Sequence, residues 1–212
     1  MACATNVEPL HPVEVRVLGS LLEKDLTTPE YYPLTVNALV NACNQKSSRE
    51  PIVNYDEETV TQALAMLRQR GMITKVSGAG HRVEKFGHRL GETLNLGRRE
   101  LALLCVLMLR GPQTVGELRG RTERMHDFSD MEEVERVLEA LTEHEPDPLV
   151  APAARGRWVH LWSGAEAAHA SAAEEPGESA SARHPLEQRV AALEEEVAEL
   201  KRQLETFRRQ FE

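Results

Sequence analysis

Three asparagines, Asn37, Asn41 and Asn44, recur at i, i+4 and i+7 in the stretch TTPEYYPLTVNALVNACNQKSSREP. At ~100° per residue that spacing lines them up as one stripe of a helix. Asparagine is a poor helix former because its amide competes with the backbone, so three in line ask for a reason. A side-chain amide can pair with a base edge, adenine in particular. It can equally satisfy backbone groups of a neighbouring loop. Gln45, Lys46, Ser48 and Arg49 follow directly, and the segment is the best candidate site in the chain. Nucleic-acid contact and the bracing of the loop 45–54 both remain open for it.

Other chemistry has less to stand on. His81, His88, His126, His144 and His160 lack metal or triad spacing, and Cys3, Cys43 and Cys105 are isolated, without a CxxC pair. No catalytic residue, metal or cofactor is expected, and buried thiols in a reducing cytosol suit the odd cysteine count. The N-terminal MACATNVEPLHP has neither a charged n-region nor an apolar h-region, so no signal peptide is expected, and no apolar run approaches the ~20 residues of a membrane span.

The elements that must carry these residues follow from periodicity. A first helix is expected over residues 12–25, with Pro12 early and Val15, Leu18 and Leu22 on its apolar face. Thr35 N-caps the asparagine-bearing helix, whose core face is Val36, Leu39, Val40 and Cys43. Asp56 caps a third helix with Glu57 and Glu58 in its first turn, and Gly71 stops it. Residues 72–76 and 82–86 then read as a hairpin around Ser77-Gly78-Ala79-Gly80. Three helices and a hairpin are the order of a winged helix.

The order then repeats. Residues 98–110 are almost continuously apolar from Leu101 to Leu109, and Gly111-Pro112 ends that helix. Thr114 with Glu117, and Ser129 with Glu132, read as capping boxes of the next two helices. Residues 149–151 and 158–162 form a second hairpin. The expected fold is mainly α with small β-hairpins: winged-helix units at residues 10–92 and 96–163, a linker at 164–185 rich in Ala and Ser, and a C-terminal helix at 186–212.

In that last helix Leu186, Val190, Leu193, Val197, Leu200, Leu204, Phe207 and Phe211 alternate steps of four and three. Leu at d with Val at a favours a parallel two-stranded coil, and the flanking pairs Arg189–Glu194, Glu196–Lys201 and Gln203–Arg208 are not repulsive. A parallel homodimer is expected. A single amphipathic helix packed back on the body is the alternative.

The stretch 23–51 closely resembles the signature of the YceH-like family, bacterial tandem winged-helix proteins of uncharacterised function. A second family stretch, LLRGPQTxGELRxRxxRM, is met by residues 108–125, with Met108 departing at its first position. The ending PLV…R…HL is met by Pro148, Leu149, Val150, Arg157, His160 and Leu161. The segment APAARGRW is shorter than the usual second wing, and the coil is a variable extension. The resemblance implies a fold and a bacterial cytoplasmic setting, and it supplies neither a catalytic residue nor a ligand.

Charge separates the two repeats. The chain carries a formal −9, which argues against a general nucleic-acid coat. Residues 10–90 nevertheless hold ten Lys/Arg against nine Asp/Glu, so the first unit is about neutral. Its third helix offers Thr61, Gln62, Arg68 and Gln69, and its hairpin Lys75, Arg82, Lys85 and Arg89. These, with Asn37, Asn41, Asn44, Lys46 and Arg49, are the expected contacts to double-stranded DNA, as in a transcriptional regulator. Asp56, Glu57 and Glu58 oppose a duplex at the helix start. The second unit's third helix bears Asp130, Glu132, Glu133, Glu135, Glu139 and Glu143 against Arg136 alone, which phosphates would repel. A protein partner fits it better, with Arg121 and Arg124 available to pair those acids. A protein adaptor without DNA binding is the competing function.

Overall fold

The computed structural model describes residues 9–76 and 83–164. His11 opens the first helix, α1 (Pro12–Thr27): its side chain accepts from the backbone of the first turn while Glu14 reaches back to the His11 N–H. Val17, Leu18, Leu21 and Leu22 are fully buried along it. A two-residue strand, β1 (Leu34–Thr35), leads into α2 (Val36–Cys43), where the Thr35 hydroxyl accepts from the Ala38 N–H at 3.3 Å. Helix α3 (Glu57–Gln69) starts on Asp56, whose carboxylate accepts from the Thr59 N–H at 2.8 Å. Strands β2 (Ile73–Val76) and β3 (Lys85–His88) pair antiparallel, with Ile73 opposite His88.

After a one-turn helix, α4 (Leu90–Thr93), the same succession returns as α5 (Arg98–Arg110), β4 (Gln113–Thr114), α6 (Val115–Thr122), α7 (Met131–Thr142), β5 (Val150–Ala153) and β6 (Arg157–His160). Both sheets have three strands in like order, β1-β3-β2 and β4-β6-β5. The architecture is therefore mixed α/β, consistent with a winged-helix-like arrangement, and each hairpin is widened by a strand the sequence did not announce. Leu34 faces Phe86 in one sheet and Gln113 faces Trp158 in the other. The long-range partner makes β1 and β4 strands, since two residues are too few to show an alternation.

Several boundaries move. The second strand of the first hairpin begins at Lys85 rather than at residue 82, because Lys85 and Phe86 are the residues that pair with both neighbours. The cap of α7 is Asp130, accepting from the Glu133 N–H at 2.7 Å, and Glu133 reaches back to the Ser129 N–H. The expected Ser129–Glu132 box is thus offset by one residue. The second wing closes through Ala154, Arg155 and Gly156, with Arg155 at φ 61° and Gly156 at φ 67°.

One hydrophobic cluster runs through both repeats. Its middle is the packing of α1 on α5, and every residue from Leu101 to Leu109 is buried. Gly19 lets the two helices approach: a Cβ there would lie 3.0 Å from Leu109 Cδ2 and 3.1 Å from Met108 Cβ. Among the described residues no helix is long and apolar enough to cross a membrane. The heptad positions Leu186 to Phe211, the linker and Arg82 lie outside the described residues.

Candidate functional site

The asparagine stripe divides. Asn37 and Asn41 are exposed on α2, free to meet something outside. Asn44 turns inward and spends both ends of its amide on one residue: Nδ2 donates to the Tyr55 carbonyl and Oδ1 accepts from the Tyr55 N–H, each at 2.8 Å. That closes the base of the α2–α3 loop, so Asn44 is corrected from a nucleic-acid contact to a brace, the task the sequence had left open for these amides.

Arg49 is corrected in the same way. Its side chain is fully buried, 0% exposed, and clamps Glu23 of α1 with Nη1–Oε1 at 3.0 Å and Nη2–Oε2 at 2.6 Å. The same guanidinium donates to the carbonyls of Ala42 and Ser48 and to Gln45 Oε1. A guanidinium with its donors used inside the fold cannot extend a phosphate contact. Burial pushes the Glu23 carboxyl up, but the hydrogen bonds and charge of Arg49, with the charge of Lys24, outweigh it and hold the group below its ordinary value. Arg16 braces the same loop, donating to the carbonyls of Pro51 at 2.6 Å and Cys43 at 3.4 Å.

On α3, Thr61, Gln62, Arg68 and Gln69 all face solvent, while Val60, Ala63, Leu64 and Leu67 hold the opposite side in the core. The Thr61 hydroxyl is turned back to the Glu57 carbonyl and Gln62 donates to Glu58 at 3.3 Å, leaving Arg68 and Gln69 as the outward side chains with no bond among the described residues. On the hairpin, Lys75 is paired with Glu84 and Lys85 is half-buried. The expected basic strip is therefore thinner than its sequence. Arg89 is likewise paired, with Glu92 at 3.4 Å.

Lys46 sits elsewhere. It lines a cleft of about 570 Å³ together with Lys24, Arg110, Arg121 and Arg124, and no described residue of β2 or β3 reaches it. Arg121 pairs with Glu117 of its own helix at 3.3 Å. The expected pairing of Arg121 and Arg124 with the acids of α7 is not made, because both point to this cleft. Glu133 of α7 is met instead by Arg99 at 3.7 Å and His126 at 3.9 Å. The other acids, Glu132, Glu135 and Glu139 of α7 and Glu143 at its C-cap, are exposed. This gathering of cations was missed from the sequence. Its signal was there, since the stretches 23–51 and 108–125 that carry the family resemblance are the ones that meet at the cleft. Among the described residues no group of three or more His, Cys, Asp or Glu could hold a metal ion.

Known proteins place the chain firmly. Residues 10–157 match the family model DUF480, described as a protein of unknown function. The chain is 55% identical over 207 residues to a UPF0502 protein of Solibacter usitatus, covering 96% of this chain and 98% of that one. A UPF0502 protein of Opitutus terrae is 53% identical over 191 residues (87% and 83%), and one of Citrifermentans bemidjiense 58% identical over 160 residues (73% and 74%). All three carry the same description, the model covers well over half of the residues, and the resemblance to the YceH-like family points the same way: the chain belongs to the DUF480, or UPF0502, family.

Proposed function

We propose that the protein is a DNA-binding transcriptional regulator in which the first of two tandem winged-helix units, residues 10–92, meets duplex DNA. The reading includes presentation of that unit in two copies by a parallel coil at residues 186–212. The observation that carries it is the outward face of α3: Thr61, Gln62, Arg68 and Gln69 stand on a rigid helix whose other side is locked into the core. Polar side chains on such a helix suit base and phosphate contact in a major groove. Asn37 and Asn41 lie exposed on α2, which packs against α3, and Lys85, with Arg82, extends the contact to the flanking backbone.

Each phosphate contact contributes about 0.9 to the slope of log affinity against log salt. Arg68→Ala with Lys85→Ala therefore weakens binding to duplex fragments at low salt and flattens that slope by roughly 2. Fluorescence anisotropy over a salt series measures both. Absence of duplex binding by the full chain near ~50 mM salt overturns the reading. A second reading, a protein adaptor, is favoured by the exposed carboxylates Glu132, Glu135 and Glu139 on α7 and Glu143 at its C-cap, which suit a basic protein surface. Under the regulator reading, Glu135→Lys with Glu139→Lys leaves DNA binding intact.

A further inference from the structure

A chain of net charge −9 gathers five cationic side chains around one cavity. The cleft lies where the C-terminal part of α1, the α2–α3 loop, α5 and the end of α6 meet. At about 570 Å³ it falls in the ~300–1,000 Å³ range of small-molecule sites. Among the described residues Glu23 is the only carboxylate in its lining, and Arg49 already neutralises it from the protein side at 2.6 Å.

The lining is built rather than incidental. Lys24, Arg110 and Arg121 stand in the last turns of α1, α5 and α6, where the helix macrodipole alone favours a cation. Lys46 and Arg124 stand beyond the helix ends, in loops, and make no ion pair or hydrogen bond within the described fold. Arg110 donates to Ser48 Oγ at 2.8 Å, fixing the loop that carries Lys46, and Ser48 holds a left-handed φ of 59°. Burial and the nearby charge of Arg121 hold the Arg110 guanidinium below its ordinary value, although Glu50 and Glu23 pull the other way. Arg121 itself is paired with Glu117 at 3.3 Å and Lys24 with Glu23 at 3.4 Å. That leaves Lys46 and Arg124 as the cations of the lining with neither ion pair nor hydrogen bond among the described residues. Val106, Leu109 and Met125 supply an apolar part of the wall.

From this geometry we infer that the cleft binds a small phosphorylated organic anion, with Lys46 and Arg124 closing on the phosphate and Val106, Leu109 and Met125 against its carbon skeleton. Three arginines favour phosphate, whose oxygens match the guanidinium fork. The cleft is a concavity separate from the α3 face, and the inference does not rest on DNA binding.

The test is calorimetric titration of the full chain with pyrophosphate and with ribose 5-phosphate at low salt. Both bind at one site per chain, and saturation raises the melting temperature. Lys46→Ala and Arg124→Ala each weaken binding about 10- to 100-fold, the loss of one charge-assisted hydrogen bond. Neither changes the melting temperature of the free protein, because neither side chain has an internal partner. Arg136→Ala, outside the cleft, leaves binding as it is. No heat with either anion up to about 1 mM, or binding that survives the double variant, overturns the inference. So does a double variant that loses only duplex DNA binding, which assigns the cleft to a DNA phosphate instead.

Discussion

The two repeats share their secondary structure almost element for element, yet they hold their middle loops by different means. In the first, thirteen residues separate α2 from α3, and the loop is pinned by a buried ion pair, Arg49–Glu23, and a two-way amide clasp, Asn44–Tyr55. In the second, eight residues separate α6 from α7, and the loop is held from its side by Arg119, which donates to the carbonyls of Phe128 at 3.3 Å and Ser129 at 3.1 Å. A longer loop costs only slightly more entropy to close, so length alone does not demand a buried charge pair. What the pair does is fix a loop whose outer side lines the cationic cleft.

That contrast gives the largest expected effect. Arg49→Leu leaves Glu23 buried without its counter-charge and destabilises the protein by about 3–5 kcal/mol. Arg119→Leu, at an exposed position where no buried charge is left unpaired, loses two hydrogen bonds to carbonyls and costs about 1–2 kcal/mol. Urea denaturation of the two variants measures the difference, and equal losses would erase the distinction between the loops. The first loss is also pH-dependent. Glu23 has a folded pKa below its ordinary 4.5, so the stability it confers is complete above the unfolded value and disappears as pH falls through the folded one. Wild type and Arg49→Leu therefore converge in acid, as pH falls below the unfolded value and through the lower folded one.

The amide clasp has no counterpart in the second repeat, and its removal is expected to be intermediate. Asn44→Ala strips the Tyr55 N–H and carbonyl of their partners in a half-buried setting, at about 1–3 kcal/mol. Asn41→Ala, on the same helix but exposed, leaves the urea midpoint unchanged. If Asn41→Ala were as damaging as Asn44→Ala, the stripe would be one structural device after all and the division of its residues would fail.

The legible parts of the molecule were those written locally. Apolar spacing located α1, α3, α5 and α7, and Thr35, Asp56 and Thr114 announced their caps because a cap acts within three residues. Ser129 and Asp130 are adjacent residues that can each cap, and the motif cannot choose between them; the backbone chose Asp130. The hidden features join distant positions. Strands β1 and β4 exist only through β3 and β6. Arg49 finds Glu23 across 26 residues, so a charged residue in a polar loop read as surface. The cleft needed Lys46 and Arg124, from different repeats, to be placed at one cavity, which no periodicity encodes.

The smallest expected difference lies in the caps, where the repeats look most alike. Thr35 and Thr114 both precede an eight-residue helix and both accept from the N–H three residues on, at 3.3 Å. Position +3 differs. After Thr35 it is Ala38, which returns nothing. After Thr114 it is Glu117, whose carboxylate accepts from the Thr114 N–H at 2.9 Å and hydroxyl at 3.1 Å and lies 3.5 Å from Arg157 on β6. Arg157 in turn donates to the Pro112 carbonyl at 2.8 Å, so the second cap is tied to its sheet through its own Glu117. The first is tied by the strand pairing and by Tyr32, whose hydroxyl accepts from the His88 N–H. Thr35→Ala thus costs about 0.5–1 kcal/mol and Thr114→Ala about 1–2 kcal/mol. The excess is carried by Glu117: in a Glu117→Ala background, Thr114→Ala costs no more than Thr35→Ala does. A double-mutant cycle on Thr114 and Glu117, read by urea denaturation, isolates that coupling. Zero coupling would mean that the box adds nothing and that the two caps are equivalent in energy as well as in form.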